Sequence, residues 1–257
     1  MELINTLKRH QFLLEELVKR DFNKKYKRAV LGVAWSLLAP LLMLLVMKLV
    51  FTEFFGRDTP HYLIYLFCGY TIYGYFSEAT KGGMSAIMGN AGIFTKVNVP
   101  KYLFLLSKNV QAFVNYLLIL VIFFVFVAFD GLAFTWKFLL LLYPICGLVL
   151  FNIGVGMILS ALYVFFRDIK YLYDVLLRVI LYLSAIFYNV ERYPADVQLL
   201  FLLNPVYVFI SYFRSIVINA TVPSLTIHLL ILVYTTLALA IGGWMYKKYN
   251  HRFLYYV

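Results

Sequence analysis

Apolar residues run along this chain in unbroken blocks rather than in alternation. The blocks cover residues 29–51, 61–76, 102–129, 136–164, 171–189 and 225–246. About twenty apolar residues, at 1.5 Å rise per residue, cross the hydrocarbon core of a bilayer. Inside hydrocarbon every backbone donor and acceptor needs an internal partner, which leaves helices or closed barrels. Continuous runs without a period of two choose helices. The pattern predicts an all-α polytopic membrane protein with six transmembrane helices, the second short and rich in Tyr.

Two segments need a separate reading. Residues 1–28 place Leu3, Leu7, Leu14, Val18 and Phe22 on one helical stripe, among Lys8, Arg9, Lys19, Arg20, Lys24, Lys25, Lys27 and Arg28. This is an amphipathic helix expected to lie on the membrane surface, apolar face down. Residues 195–219 are apolar but interrupted by Asn204-Pro205, an N-cap residue followed by a proline suited to the first helical position. Two short helices that dip in and return form a re-entrant hairpin between helices 5 and 6; a seventh span is the alternative. Charge parity favours the hairpin. With six spans both termini are cytoplasmic, and Lys81, Lys96, Lys101, Lys108, Arg167, Lys170, Arg178, Lys247, Lys248 and Arg252 join the basic N-terminus inside. The outer side keeps Lys48, Arg57, Lys137, Arg192 and Arg214. A seventh span would move Lys247, Lys248 and Arg252 outside, against the positive-inside bias.

Composition agrees with a lipid solvent: 63% of the 257 residues are apolar, 19% aromatic and only 14% charged, against about a quarter charged in soluble domains. The net charge of +11 then belongs to cytoplasmic loops, and no nucleic-acid partner is expected. Cys68 and Cys146 fall within apolar runs, without disulfide or metal spacing. His10, His61, His228 and His251 are scattered, so no metal site is expected. There is no G-x-x-x-x-G-K-[ST] loop, so the chain does not bind ATP in the usual way, and no H-E-x-x-H, C-x-x-C or G-x-S-x-G. No catalytic residue and no cofactor in this chain are expected. No secretory leader is expected either, since the first charged stretch is long and leads into a full span.

Polar residues within spans are costly and so informative. Lys108, Gln111 and Asn115 share one face of helix 3 with Phe104; Tyr171, Asp174, Arg178, Tyr182 and Asn189 share one face of helix 5, where Asp174 and Arg178 are spaced to pair. These faces either hold the bundle together or line a wet pathway near the cytoplasmic entrance. Helix 2 carries Tyr62, Tyr65, Gly69, Tyr73 and Phe76 on one stripe. It reads either as aromatic packing or as a surface for a substrate with apolar faces and polar edges, as sugar rings have. The loop 77–101 between helices 2 and 3 holds Met84, Ile87, Met88, Ile93 and Phe94, more apolar side chains than a solvated linker needs, and reads as a docking surface. Gly154, Gly156 and Ser160 allow close helix approach, within one chain or within a dimer.

Three motifs resemble one family. KKYKRAVLGVAWSLLAPL (residues 24–41) has a basic run followed by Leu-Gly, Trp and Pro. FFRDI (165–169) forms a short turn between helices 4 and 5. LNPVYVFISYFRSIVI (203–218) carries Asn204, Pro205 and, later, Arg214. Together these are similar to the ABC-2-type permeases, in particular the polysaccharide-export branch (O-antigen and teichoic-acid exporters), over nearly the whole chain. Two departures are Ser184-Ala185, where many relatives have Ser-Pro, and the ending HRFLYYV in place of an acidic tail.

The resemblance implies a single transmembrane domain, 1–257: an interfacial helix (1–28), a six-helix bundle (29–246) and a cytoplasmic tail (247–257). It implies a homodimer in the bacterial cytoplasmic membrane, partnered by two copies of a separate ATPase that holds the Mg-ATP. The cargo is a polyprenyl-linked polysaccharide passing through a channel lined partly by aromatics, here Tyr62, Tyr65, Tyr73 and Phe76. The coupling surface is implied on the 82–100 loop, the N-terminal helix and the Arg167-Asp168 turn. Lys24, Lys25, Lys27 and Arg28 either attract a lipid diphosphate or anionic headgroups at the entrance, or simply anchor the chain inside. Two other readings stand beside this one: an exporter of a small amphiphile on the same scaffold, and a membrane enzyme of polyprenyl-phosphate metabolism, which would need acidic clusters for a metal.

Overall fold

The computed structural model describes residues 10–26, 32, 34–51, 60–94, 99–250, 252–254 and 256. Among them the regular elements are all helical: α1 (Gln11–Tyr26), α2 (Ala34–Phe51), α3 (Tyr62–Met84), α4 (Ala91–Phe94), α5 (Tyr102–Phe129), α6 (Leu142–Phe165), α7 (Ile169–Leu183), α8 (Ala195–Phe201), α9 (Pro205–Val217) and α10 (Leu225–Tyr249). Short 3₁₀ turns cover Met88–Asn90, Trp136–Leu141, Val190–Arg192 and Arg252–Leu254.

Three helical stretches are long and apolar enough to cross a bilayer alone: Tyr102–Phe129, Trp136–Phe165 and Leu225–Tyr249. Their outward faces are large and apolar, as on α5, where Val110, Val114, Leu117, Val121 and Val125 are all exposed. That spacing marks one continuous stripe, which water would not tolerate and lipid does. The chain is a multi-pass membrane protein.

The long helices run alternately between two ends. At one end, here called the basal end, α1, the turn after α3, the start of α5 and the ends of α6 and α10 meet in a cluster built on Leu17, Ile87, Phe104, Val164 and Phe253. At the other, the hairpin end, lie the start of α3, the end of α5 and the bent pair α8–α9. The main core lies between them, with Phe67 edge-on to Phe123 at 5.3 Å and Phe151 against both Phe76 and Phe209.

Helices α3, α6 and α10 approach backbone to backbone at glycines. A Cβ on Gly154 would lie 2.5 Å from the Ala238 carbonyl carbon, and one on Gly83 2.9 Å from the Gly156 Cα. Ser160 shares a 2.7 Å hydrogen bond with the Tyr246 hydroxyl. The small residues singled out in the sequence thus pack helices of one chain together.

Several boundaries differ from expectation. Helix α3 runs on to Met84 instead of ending near Phe76, because polar residues in its last turns find partners on neighbouring helices. Helix α7 stops at Leu183, and residues 184–189 are not helical. Asn204 caps α9 as expected: its side chain accepts from the Val206 N–H, with Pro205 at the first helical position. The axes of α8 and α9 are bent by 108°. Asn189 before the pair and Asn219 after it border the same cavity, so the segment returns to the end it left.

Candidate functional site

At the basal end α1 packs through Leu13, Leu17 and Asp21, not through the stripe read from the sequence. Leu14, Val18 and Phe22 are only half-buried. The reason is Asp21, the one acid in a basic run. Its side chain is 2% exposed. Its Oδ1 accepts from Arg20 Nε and Nη2 at 3.1 and 2.8 Å. Lys108 Nζ of α5 sits 3.0 Å from Oδ2, close enough for strong attraction though outside hydrogen-bonding angles. Arg20 also donates to the Asn90 side-chain oxygen at 2.7 Å, and Asn90 donates to the Ala86 carbonyl. One network therefore joins α1, the turn after α3, and α5. A buried carboxylate survives only with such compensation.

Ile87 is buried in this end, with Met88 and Ile93 packed against it, and Met84 is buried in the main core. Met84 and Ile87 are not presented outward, and Met88 and Ile93 only in part. The Phe94 side chain is outside the described residues, as are the Lys24 and Lys25 side chains and all of Lys27 and Arg28. Arg167 and Asp168 are exposed in the turn between α6 and α7, beside the exposed Phe166 and Tyr171. Arg167 donates to the Tyr256 carbonyl at 3.4 Å, and Tyr256 stacks edge-on to Phe165. Lys101 donates to the Asn250 carbonyl and burial pushes its pKa down. Tyr256 and Asn250 are thereby tied to the platform.

The Tyr stripe of α3 bonds to the main chain where α7 breaks, in keeping with the packing reading of the two that the sequence allowed. Where α7 breaks, Ala185 takes a left-handed conformation (φ 50°), and four successive carbonyls lose helical partners. Arg214 Nη1 donates to Ala185 at 2.9 Å and Nη2 to Ile186 at 3.2 Å. The Tyr62 hydroxyl donates to Phe187 at 2.7 Å, and Tyr65 to Tyr188 at 2.6 Å. Tyr73 donates to the Leu177 carbonyl at 2.8 Å, and Phe76 stacks on Phe151. Tyr62, Tyr65 and Phe76 are buried inside the subunit. Arg214 also donates to the Tyr65 carbonyl and lies 3.4 Å over the Tyr65 ring. It is buried with no ion pair among the described residues.

A less buried face of α3 lies a step round the helix, where Tyr70, Gly74 and Ser77 are half-buried and Lys81 is exposed. A Cβ on Gly74 would meet nothing within 4 Å. Lys81 pairs with Asp174 of α7 at 2.8 Å. Asp174 thus bonds across helices and not to Arg178 four residues on. Arg178 and Tyr182 are exposed and continue the band up α7. Of the helix α5 residues, Asn115 is buried and donates to Glu78 at 2.8 Å, Lys108 is held by Asp21, and Gln111 is half-buried. Asn115 and Lys108 thus satisfy neighbours within the subunit. Between α2, α3 and α5 a cavity of about 190 Å³ beside Pro40 and Glu78 receives the Thr71 and Tyr116 hydroxyls, neither of which has a hydrogen-bond partner among the described residues. A second cavity, of about 780 Å³ and almost wholly apolar, opens between α6 and α7 beneath α8–α9, with Phe76, Phe151, Tyr173 and Phe201 in its wall.

The α7 part of the band, Asp174, Arg178 and Tyr182, was read from the sequence as one polar face; the α3 part was not. The signal available was Ser77, Glu78 and Lys81 following a Tyr-rich apolar run, a spacing that continues a helix. The Asp21 network had a clearer one, a lone acid among lysines and arginines.

Residues 13–218 match the family profile described as ABC-2 type transporter. The chain belongs to the ABC-2 type transporter family. It is similar to the O-antigen export system permease protein RfbA of Klebsiella pneumoniae, with 26% identity over 246 residues, 94% of this chain and 93% of that protein. The protein of the same name from Myxococcus xanthus is 27% identical over 87% of this chain and 86% of its own length. The polysialic acid transport protein KpsM of Escherichia coli is 22% identical over 91% of this chain and 92% of its own. The profile reaches from within α1 to just past α9, so it takes in both ends of this ABC-2 chain.

Proposed function

We propose that this chain is the permease subunit of an exporter that carries a polyprenyl-linked polysaccharide across the bacterial cytoplasmic membrane. The observation that carries the reading is a polar band along α3 and α7, in which Ser77 and Asp174 are half-buried and Lys81, Arg178 and Tyr182 are exposed. Polar groups on a lipid-facing surface are costly, so the band calls for a cover, supplied by a second copy and by cargo. The relatives point to the cargo, since they are named for O-antigen export and polysialic acid transport.

In this reading α2, α3, α5, α6, α7 and α10 are six spans, α8–α9 is the outer re-entrant hairpin, and both termini are cytoplasmic. The basal end is the cytoplasmic face. Two ATPase subunits holding Mg-ATP would dock there, against α1 and the Arg167-Asp168 turn. Closure of the ATPases would push α1, the turn after α3, and α5 together, because the Asp21 network joins them. The basic residues Lys24, Lys25, Lys27 and Arg28 would meet the lipid diphosphate at the entrance.

A second reading rests on the apolar cavity between α6 and α7. Its size and lining suit a small amphiphile as well as a polyprenyl tail. One experiment separates them: deplete the protein, then extract polyprenyl-linked glycans from each membrane face. Full-length polymer trapped on the cytoplasmic face supports the polysaccharide exporter. An unchanged glycan pool rejects it in favour of the amphiphile, and loss of the polymer itself would mean synthesis and not transport.

A further inference from the structure

At the hairpin end a cavity of about 200 Å³ lies between α9 and the turn before α8. It has room for about six waters by liquid volume, the size class of one sugar ring. One wall is a single face of α9, on which Tyr207, Ser211 and Arg214 recur at helical spacing. The rest of α9 is apolar and buried, with Val206, Phe209, Phe213 and Val217 in the core. The opposite wall carries Asn189 and Glu191, and Asn219 sits at the rim. Asn189 accepts from the Glu191 N–H at 3.0 Å and donates to the Glu191 carboxylate at 3.2 Å, so the turn is held before anything binds.

The charges set the ligand class. The Arg214 guanidinium is already solvated by the Tyr65, Ala185 and Ile186 carbonyls and by the Tyr65 ring. Glu191 lines the same cavity as Arg214, without pairing with it. An anion would meet the Glu191 carboxylate, and a cation would meet Arg214. What remains is a neutral field of hydroxyl, amide and carboxylate groups beside a phenol ring. Such groups accept and donate to vicinal hydroxyls, and the ring receives an apolar ligand face.

We propose that this cavity binds one neutral sugar residue at the hairpin end of the subunit. The proposal rests on the polysaccharide-export reading for its biological use, but the site itself is a property of this chain. A polymer leaving the bundle would be held there one residue at a time, which opposes its slipping back.

The test is saturation-transfer NMR on the full-length chain in lipid nanodiscs. The probes are the methyl α-glycosides of mannose, galactose and rhamnose, with inorganic pyrophosphate and the methyl glycoside of N-acetylneuraminic acid as anionic comparators. Transfer to the ring protons of at least one neutral glycoside is expected. It should fall about fivefold in Ser211→Leu and in Asn219→Leu, the effect of losing one hydrogen bond in a closed site. Asn219 is an exposed rim residue, so its variant keeps the test valid if Ser211→Leu does not fold. No transfer to any neutral glycoside, equal transfer in both folded variants, or binding confined to the anionic probes would each overturn the proposal. The glycan-depletion experiment reads the export assignment separately: an unchanged glycan pool removes the polymer but not a sugar site seen by NMR, and the reverse outcome removes the site alone.

Discussion

The two ends of the bundle solve the same problem in opposite ways. At the hairpin end the buried cation Arg214 has no carboxylate, and backbone carbonyls freed by the break in α7 solvate it. At the basal end the buried charge is an anion, Asp21, and it is held by two cations that remain partly in water. The first arrangement binds a side chain to the main chain, so neither part can leave without exposing polar groups to hydrocarbon. The second is side chain to side chain, with the anion buried and its two cations partly in water, so either cation can shift while the carboxylate keeps the other. The hairpin end is therefore built to stay in place, and the basal end to tolerate movement.

Substitutions can break or sharpen that contrast. The largest effect should come from Arg214→Ala, which strands the Ala185 and Ile186 carbonyls and empties a packed site. A loss of about 4 kcal/mol is expected, read as a fall in melting temperature in detergent. Arg214→Lys should recover little of it, since one ammonium cannot reach both carbonyls and the Tyr65 ring. Asp21→Ala leaves Arg20 and Lys108 without their shared anion and should cost about 3 kcal/mol. Its loss should show first as faster hydrogen exchange in α1, with the hairpin end unchanged; uniform loosening would contradict the contrast. Tyr62→Phe removes one donor from the Phe187 carbonyl and should cost about 1 kcal/mol. Lys81→Ala breaks an exposed pair, costing at most about 0.5 kcal/mol, yet it should slow export if the α3–α7 band faces the polymer. Unchanged export in that folded variant would remove Lys81 from the path.

The same contrast explains what could be read from the chain alone. Helix α5 was placed at 102–129 and the start of α10 at Leu225, because long apolar runs have sharp polar ends. The Asn204-Pro205 cap was legible for a local reason, a side chain satisfying its own helix terminus. Helix α3 was drawn too short because Ser77, Glu78 and Lys81 look like a loop until Asn115 and Asp174 are seen across from them. Helix α7 was drawn too long, since nothing in its own apolar sequence says that Arg214, Tyr62 and Tyr65 will catch its free carbonyls. The Tyr stripe was found correctly as one face, but facing a channel and facing a broken helix have the same spacing. The Asp174 partner was misplaced for a related reason: four residues along a helix is a real opportunity for pairing, and a neighbouring helix offered a better one.

Two helices in this bundle meet without a cushion. Between α6 and α10 the usual layer of flexible side chains is replaced by direct backbone contact, with a Cβ at Gly242 lying only 2.7 Å from the Gly154 carbonyl oxygen. Side chains act as bearings that let helices roll or slide past one another, and here the bearings are missing. These two helices travel as a single rigid spar. Helix α7, by contrast, buries only Tyr173 and Leu177. In any cycle of widening and narrowing the spar would stay as a fixed frame, and α7 would swing only about the end that Arg214, Tyr62 and Tyr65 pin.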